Sequence, residues 1–385
     1  MTDAVAMTNE RNQIFRDLFS GKIPKRVPIS NPATQDFAIQ YAGLDLAECQ
    51  WDLTKLEPVY DKFCQDFITD TCPPGGSVRI PSHYQLLGST SIVMSSSGFM
   101  QHPEVVGLLA EEYDQFIAAP YDCIVETILP RLYTEFNGAP GKVAMALAKA
   151  MRAQADDLAY LGTIRTKMNA KYGYAAMIGA LTEAPFDFMA DFLRSFKGIS
   201  GDVRRYPDKV AAACEAVLPL MVKKGTLSNT EMLGYTFIPL HMAPYLRDKD
   251  FATLYWPTFK KLVETLAGLG QNVQLFVEHD WMRYLDYLYE LPENTIMRFE
   301  YGDAKLVKEK LGKKHIISGF YPITMLQTGT KQQCLDKAKE LLDILAPGGR
   351  YWWQADKSII HLEANGPVVE NLRAVLEYVH ENGTY

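Results

Sequence analysis

The sequence predicts an α/β fold, a (β/α)8 TIM-type barrel with an elaborated helical N-terminal region. Strand-like and helix-like segments alternate through the C-terminal half at spacings of roughly 20 to 40 residues, as in parallel strands joined by crossover helices. The later strand segments are apolar on both faces, which a sheet covered by helices requires. No GxGxxG motif follows a strand, which argues against a dinucleotide-binding open sheet.

The whole chain, residues 1–385, is predicted to form one barrel domain. Residues 1–25 would contribute an N-terminal helix, and residues 34–170 would form a mostly helical elaboration within the domain. Barrels routinely exceed about 250 residues as one domain. Residues 73–100 are rich in Gly, Ser and Pro, which predicts turns and a hairpin.

Hydrophobic periodicity and turn residues define the elements in order. A first helix ends at Gly21, and Pro24 follows it. Asp303 is positioned as a helix N-cap, and Thr330 with Gln333 matches a capping box. The predicted strands are 26–30, 174–180, 235–242, 273–278, 295–300, 315–320 and 350–354. The predicted helices are 10–19, 111–118, 139–168, 186–194, 208–221, 251–269, 281–289, 304–311, 330–345 and 367–380.

Composition excludes several classes of function. The net charge is −7 and no extended Lys/Arg cluster occurs, so nucleic acid is not an expected partner. No uninterrupted run of about 18 apolar residues exists, so no membrane span is expected. The N-terminus lacks the apolar core of a signal peptide, which predicts a cytoplasmic protein. The six cysteines are scattered without a CxxC pair, which excludes a disulfide framework and a structural zinc module.

Polar residues at the ends of the predicted strands form the candidate site. In a parallel barrel, functional side chains gather at the C-terminal ends of the strands. Groups that converge from several strands are typical of a metal or general-acid site. The polar residues at these ends are His241, Glu278, His279, Asp280, Glu300, Asp303 and Asp356.

His241 and Glu278 are the candidate catalytic residues and metal ligands. Glu278 shares a strand face with Phe276, so if Phe276 points inward the carboxylate is buried and must be paired or functional. His241 could equally be a hydrogen-bonded histidine of the core. His279 lies on the opposite strand face and would point towards the helices or a loop.

Asp280, Trp281 and Asp303 are the candidate substrate-binding residues. The aromatic run 351–353, together with Trp281, would suit a planar apolar substrate. Each residue also has a plain structural interpretation. Asp303 fits a simple N-cap, Trp281 could pack against the start of its helix, and Asp280 and Asp356 could be solvated loop residues.

Several short segments carry a family pattern. They are Phe-Ser-Gly-Lys at 19–22 with Arg-Val-Pro at 26–28, Ala-Pro-Phe-Asp at 184–187, Tyr-Pro-Asp-Lys-Val at 206–210, Pro-Leu-His-Met at 239–242, Phe at 251 with Tyr-Trp-Pro at 255–257, Phe-Val-Glu at 276–278, Gly-Phe-Tyr-Pro at 319–322 and Thr-Gly-Thr at 328–330. With these segments the chain resembles the uroporphyrinogen decarboxylase-like superfamily. More narrowly, it resembles the branch of corrinoid-dependent methyltransferases of the O-demethylase type from anaerobic microbes. The resemblance extends over nearly the whole chain.

The chain departs from the family pattern at its known ligands. Related methyltransferases hold zinc with a His-x-Cys pair and a later Cys, but here Phe276 and Glu278 stand in the first two places and Gly349 in the third. The missing thiolates disfavour methylation of a thiol such as coenzyme M. The first loop, 30–35, lacks the arginines of true uroporphyrinogen decarboxylases, which disfavours haem synthesis.

The resemblance therefore implies demethylation of a small methyl donor, typically a methoxylated aromatic. The methyl group would pass to Co(I) of a cobalamin that a corrinoid carrier protein supplies. The leaving phenolate needs a proton or a Lewis acid, so either a zinc ion on His241 and Glu278 or a protonated Glu278 would act there. A homodimer is also expected, because the superfamily often forms dimers. Two alternatives stay open: a decarboxylase or lyase that acts on a small aromatic acid without corrinoid, and a non-catalytic relative.

Overall fold

The computed structural model describes residues 2–75 and 80–385, and it confirms the α/β class. A short antiparallel hairpin, β1 (Val93–Met94) with β2 (Met100–Gln101), precedes the main sheet. The main sheet is parallel, and its six strands follow the chain order: β3 (Ile178–Leu181), β4 (Gly234–Leu240), β5 (Asn272–Val277), β6 (Ile296–Phe299), β7 (Ile316–Gly319) and β8 (Tyr351–Trp352). Parallel neighbours in chain order require a crossover after each strand, and helices supply these crossovers.

Helices make up most of the remaining structure. The α-helices before β3 are Thr2–Phe19, Gln35–Tyr41, Leu46–Trp51, Leu56–Asp66, Pro81–Leu87, Tyr113–Ala118, Pro120–Cys123, Leu129–Leu132 and Pro140–Tyr172. Those after β3 are Pro185–Phe188, Ser195–Arg205, Pro207–Gly225, Asp248–Asp250, Trp256–Gly268, Leu285–Glu290, Ala304–Leu311, Ile323–Thr328, Lys331–Leu345 and Val368–Asn382. Short 3-10 or π turns are Leu53–Lys55, Ala110–Glu112, Ile124–Ile128, Thr134–Phe136, Met189–Arg194, Ala243–Tyr245, Phe251–Tyr255 and Met282–Tyr284. In the described part of the chain, no helix has both the length and the apolar character that a bilayer crossing needs.

The observed elements differ from the predicted ones mainly at their ends. The strand predicted at 174–180 begins only at Ile178, and the strand predicted at 26–30 forms a single bridge at Ile29. The region 73–100 contains a helix that was not predicted as well as the hairpin, and its residues 76–79 lie outside the described residues. The predicted caps are confirmed: Asp303 accepts the backbone N–H of Leu306 at 3.0 Å, and a capping box opens the helix Lys331–Leu345.

Short extended segments continue the hydrogen bonding beyond both edges of the main sheet. Ile29 forms a parallel bridge with Trp353, next to β8. The backbone N–H of Asp70 donates to the carbonyl of Ile29 at 3.0 Å, and the N–H of Ala175 donates to the carbonyl of Asp70 at 2.9 Å. A chain of backbone hydrogen bonds therefore runs from β8 through these two segments to the residues that precede β3.

The two faces of the sheet differ in burial. In β4, Ile238 and Leu240 are fully buried, whereas Phe237 and Pro239 are only half-buried. Alternate residues of a strand point to opposite faces, so the first pair faces the helices and the second pair faces the other side. On that second side, Leu181 of β3 lies opposite Phe237 and is 36% exposed. We call this accessible side the open face.

An aromatic cluster closes the amino-terminal end of the sheet. Phe15 and Phe19 of the first helix lie 5.1 and 6.0 Å from the ring of Trp352, measured between ring centroids. Ile296 and Ile316, the first residues of β6 and β7, are fully buried in the same cluster. Accessible surface on the open face is thus confined to the carboxyl-terminal half of the strands.

Candidate active site

The strand register brings three ionisable residues to one level at the carboxyl ends of the strands. Pro239 of β4 pairs with Phe276 of β5, so His241 and Glu278, each two residues further on, are neighbours. Phe276 pairs in turn with Arg298 of β6, which places Glu300 beside Glu278. Because the strands are parallel and the register is even, these side chains point to the open face.

His241 and Glu278 meet, as the sequence predicted. The Nε2 atom of His241 lies 3.2 Å from Oε1 of Glu278. Its Nδ1 atom lies 2.5 Å from Oδ2 of Asp191, a residue that the sequence analysis did not select. Both ring nitrogens can donate only when the imidazole is protonated, so this arrangement favours the imidazolium form.

The electrostatic surroundings stabilise a positive charge on His241. Burial alone would lower the pKa of the imidazole. The hydrogen bonds to Asp191 and Glu278 and the negative charge of Asp187 outweigh that effect and raise the pKa of His241 to about 11. The side chain keeps 35% of its surface exposed, so its proton remains accessible from the open face.

Asp187 fixes the turn that follows β4. This carboxylate is fully buried and accepts the backbone N–H groups of His241 at 3.2 Å and Met242 at 2.9 Å, and the hydroxyl of Tyr255 at 2.6 Å. Burial raises the pKa of Asp187 to about 7. Three donors on one buried carboxylate hold the His241 backbone, and therefore its imidazole, in a defined position.

Glu183, Asp187 and Asp191 are functional candidates that the sequence analysis missed. They follow β3 at intervals of four residues, and Asp187 and Asp191 lie one turn apart on the helical segment that begins at Pro185. Residues four apart on a helix share a face. Glu183 is 5% exposed, and burial raises its pKa to about 8. The four-residue spacing of acids directly after a strand was the signal that could have identified them.

The three predicted substrate-binding residues have structural contacts of their own. Asp280 is exposed and accepts the backbone N–H of Met282 at 2.8 Å. Trp281 is fully buried in an aromatic cluster, with its ring centroid 5.8 Å from that of Phe251. Asp303 caps its helix. Their placement matches the plain structural interpretations, and it gives no support to substrate binding.

The remaining polar residues at the strand ends have local partners. His279 is exposed, with a positive φ of 59°, and its Nε2 lies 3.1 Å from the hydroxyl of Tyr245. Glu300 accepts the backbone N–H of His279 at 2.9 Å and pairs with the ammonium of Lys357 at 2.5 Å. Asp356 is buried and accepts a backbone N–H at the start of the helix Ile323–Thr328, so it is not a solvated loop residue.

The ligands that the structure offers to a metal differ from the predicted pair. In the described residues, the group with three suitable donor atoms within 4.8 Å of one another is Glu278, His279 and Glu300. His241 is outside it, because its ring nitrogens face Asp191 and Glu278. Glu300 is already neutralised by Lys357. A structural or catalytic zinc needs at least three protein ligands. In the described residues no group of three mutually close donors contains both His241 and Glu278, so zinc on this pair stays a prediction from the resemblance.

Aromatic side chains form the surface beside His241 and Glu278. Phe237 and Phe276 stack on the open face with their ring centroids 6.2 Å apart and an interplanar angle of 25°. The aromatic residues 351–353, which the sequence suggested for substrate contact, are all fully buried and do not line an accessible surface. An aromatic, partly accessible wall below two charged groups suits a planar apolar ligand that carries one polar atom.

We expect the charge state of His241 to depend on Asp191. Replacing Asp191 by Asn removes the largest stabilising contact, so the pKa of His241 should fall from about 11 by at least one unit. NMR titration of ¹³C-labelled histidine would measure it. Buried His315, whose pKa burial lowers to about 4, is the internal reference and should not change. An unchanged His241 titration in the variant would contradict the assigned contact.

The raised pKa of His241 also predicts how the stability of the fold changes with pH. The folded-state pKa of His241 lies above its ordinary value of 6.5. Its stabilising contribution is therefore complete below pH 6.5 and is lost as the pH rises towards about 11. The free energy of unfolding should fall more steeply over this range in the natural protein than in His241→Gln.

Comparison with known proteins finds similarity at the level of three-dimensional structure. No family model and no curated protein matches the sequence. Among solved structures, the chain is similar to a methyltransferase from Methanosarcina mazei, with a TM-score of 0.63 and 14% sequence identity. The match covers 97% of this chain and 98% of that chain. At this identity the likeness shows a shared fold over the full length of both chains.

Proposed function

We propose that this protein is a methyltransferase that demethylates a small methoxylated aromatic and passes the methyl group to Co(I) corrinoid on a separate carrier protein. The observation that carries the proposal is the His241 imidazole, held between two carboxylates at the edge of an aromatic, accessible face. The methyltransferase with the same fold supports a group transfer of this class.

The chemistry of an aryl methyl ether makes a proton donor necessary. The methyl carbon accepts an electron pair from the reduced corrinoid, and the bond between that carbon and the ether oxygen breaks. The electron pair of the broken bond stays on the oxygen as a phenolate, which is a poor leaving group unless it is protonated. We assign that proton to Nε2 of His241, which faces the open side of the sheet.

The neighbouring carboxylates prepare His241 for this role. Asp191 binds Nδ1 and sets the orientation of the ring, and Asp187 holds its backbone. Glu278 accepts from Nε2 until an ether oxygen takes its place. Displacement of Glu278 from Nε2 removes one of the hydrogen bonds that raise the pKa of His241, so the imidazolium is a stronger acid while the donor is bound. After the transfer, Glu278 returns and the neutral imidazole regains a proton from water.

The ring of the donor would lie against the side chains of Phe237 and Phe276, which are partly accessible on the open face. Aromatic rings prefer such offset contacts, and each contributes about 1 kcal/mol beyond area burial. Leu181, on the neighbouring strand, extends the apolar surface. A ring bound beside Phe237 and Phe276 would place one of its substituents at the level of His241 and Glu278.

We also propose that the sheet closes into a (β/α)8 barrel over residues 1–385. The bridge from Ile29 to Trp353 and the hydrogen bonds through Asp70 to Ala175 support closure, because they add two strand positions between β8 and β3. Six strands and two such positions give eight. A crystal structure in which these segments do not pair would contradict closure.

Methyl transfer can be tested with the purified protein and cobalamin reduced to Co(I) under anaerobic conditions. Anisole, methoxyphenols and methoxybenzoates serve as donors. We expect methylcobalamin and the free phenol to form in equal amounts, followed by absorbance and chromatography. Product without cobalamin would replace the proposal by the decarboxylase or lyase alternative. Ligand binding without any product would indicate a non-catalytic relative.

Metal content is measured on the same preparations and on Glu278→Ala. We expect no stoichiometric zinc that the substitution removes. Zinc bound at one equivalent and lost in Glu278→Ala would contradict the role of His241 as sole proton source, because a Lewis acid would then stabilise the phenolate.

A further inference from the structure

Arg298 is a cation on the open face that has no carboxylate within ion-pair distance among residues 2–75 and 80–385. It occupies the third position of β6, opposite Phe276 on one side and Ser318 on the other. Its Nε donates to the carbonyl of Ala355 at 2.8 Å, and its guanidinium carbon lies 4.9 Å from the centroid of the Phe276 ring. In the parts of the chain that the structure describes, it forms no ion pair, and its two terminal amino groups donate no hydrogen bond.

Arg298 is half-buried, so its charge is partly removed from water. Removing a charge from water is costly unless the charge is paired, and the cation–π contact with Phe276 returns only about 1–2 kcal/mol. Burial accordingly lowers the pKa of Arg298 to about 10, so the side chain is still charged at neutral pH. Asp356 compensates the charge of Arg298 only in part, because its carboxyl group already accepts two backbone N–H groups.

The free part of the guanidinium has the shape of a carboxylate site. Two terminal amino groups in one plane bind a carboxylate through two parallel hydrogen bonds. Arg298 lies two residues below the level of Glu278 and Glu300, which corresponds to about 6.6 Å along the strand. An aromatic acid bound beside Phe276 would present its carboxylate to Arg298 and its ring towards the level of Glu278.

The acidic residues nearby do not oppose an incoming anion strongly. Glu300 is paired with Lys357, and Glu278 faces the His241 imidazolium. Lys357 balances Glu300, and the single charge of His241 is shared between Glu278 and Asp191. Arg298 adds a positive charge whose terminal amino groups have no carboxylate within ion-pair distance among the described residues.

We propose that Arg298 binds the carboxylate of an aromatic acid, so that the methyl donor is a methoxybenzoate rather than a neutral methoxybenzene. This inference rests on the proposed function for the methyl transfer, but the carboxylate site itself does not depend on it. Para-methoxybenzoate, which carries the two groups at opposite ends of the ring, is the donor that tests this assignment.

Calorimetric binding to the full-length protein tests the carboxylate site without any methyl acceptor. The probes are para-methoxybenzoate and the neutral para-methoxybenzamide, which has the same size and shape. We expect the natural protein to bind the acid at least about tenfold more tightly, as one charge-assisted bidentate pair predicts. Equal affinities for the two probes would overturn the proposal without any variant.

Two substitutions sharpen the result. Arg298→Gln should abolish the preference for the acid, and Arg298→Lys should keep part of it, because lysine retains the charge without the bidentate geometry. Arg152→Gln, on the exposed face of the helix Pro140–Tyr172, is the control and should bind like the natural protein. Thermal melts establish that each variant folds, and if Arg298→Gln does not fold, Arg298→Lys carries the comparison. A full preference for the acid in either folded Arg298 variant would overturn the proposal.

The two proposals fail in different ways. Preference for the acid without methyl transfer to cobalamin would remove the proposed function and leave the carboxylate site standing. Methyl transfer with equal use of the acid and the amide would do the reverse. Release of CO2 from the bound acid would identify the site as that of a decarboxylase.

Discussion

Replacing His241 by Gln is expected to reduce methyl transfer from para-methoxybenzoate about 1,000-fold, with little change in binding. A positioned general acid contributes roughly 10²–10⁴-fold to such a step, and glutamine cannot deliver a proton. The loss should appear in kcat, because the imidazole acts on the breaking bond and not on the bound ring. Single-turnover formation of methylcobalamin measures it directly.

The leaving group supplies the decisive control for His241. The tetrafluoro analogue of para-methoxybenzoate releases a far more acidic phenol, which needs less assistance from a proton donor. The loss in His241→Gln should therefore shrink by at least tenfold with this donor. His361→Gln, at an exposed position, should react like the natural protein with both donors. An equal loss with both donors would mean that His241 has a structural role.

Replacing Asp187 by Ala is expected to lower the free energy of unfolding by about 3 kcal/mol. The substitution leaves three buried donors without their acceptor: the N–H groups of His241 and Met242 and the hydroxyl of Tyr255. Each such donor costs about 1 kcal/mol or more. Urea denaturation followed by circular dichroism gives the value, and Asp122→Ala, at an exposed position, should change it by less than about 0.5 kcal/mol.

The effect of Asp187 should also depend on pH in an unusual direction. Its pKa is raised from 3.8 to about 7 in the folded state. The stability that this carboxyl contributes is therefore complete below pH 3.8 and is lost as the pH rises through about 7. The penalty of Asp187→Ala should be larger at pH 5 than at pH 8. A penalty that grows with pH would show that the carboxyl is ionised throughout this range.

The contact between His241 and Glu278 could be predicted because it depends only on where two strands end and on which face of the sheet each side chain occupies. Both residues end predicted parallel strands, and the ends of parallel strands lie at one edge of a sheet. The alternation of side chains then places Glu278 on the same face as Phe276. Strand ends and side-chain alternation are local properties, and the sequence contains them.

The contact between Asp191 and His241 and the complete burial of Trp281 do not follow from strand ends and side-chain alternation. The distance from Asp191 to His241 depends on how the helix after β3 packs over the turn after β4, which is a tertiary contact between residues 50 positions apart. Trp281 and the run 351–353 are apolar, and an apolar residue in a covered sheet gives no indication of which face it occupies. Arg298 was overlooked because a single arginine inside a strand has no motif.

The sealed amino-terminal end of the sheet has a kinetic consequence. Phe15, Phe19 and Trp352 block any approach from that side. Under the proposed function, the small donor and the corrinoid carrier would both have to approach the carboxyl-terminal end of the sheet. A bound carrier would then cover the donor site, so we expect ordered turnover: the small molecule enters first and the phenol departs last, after the carrier has left.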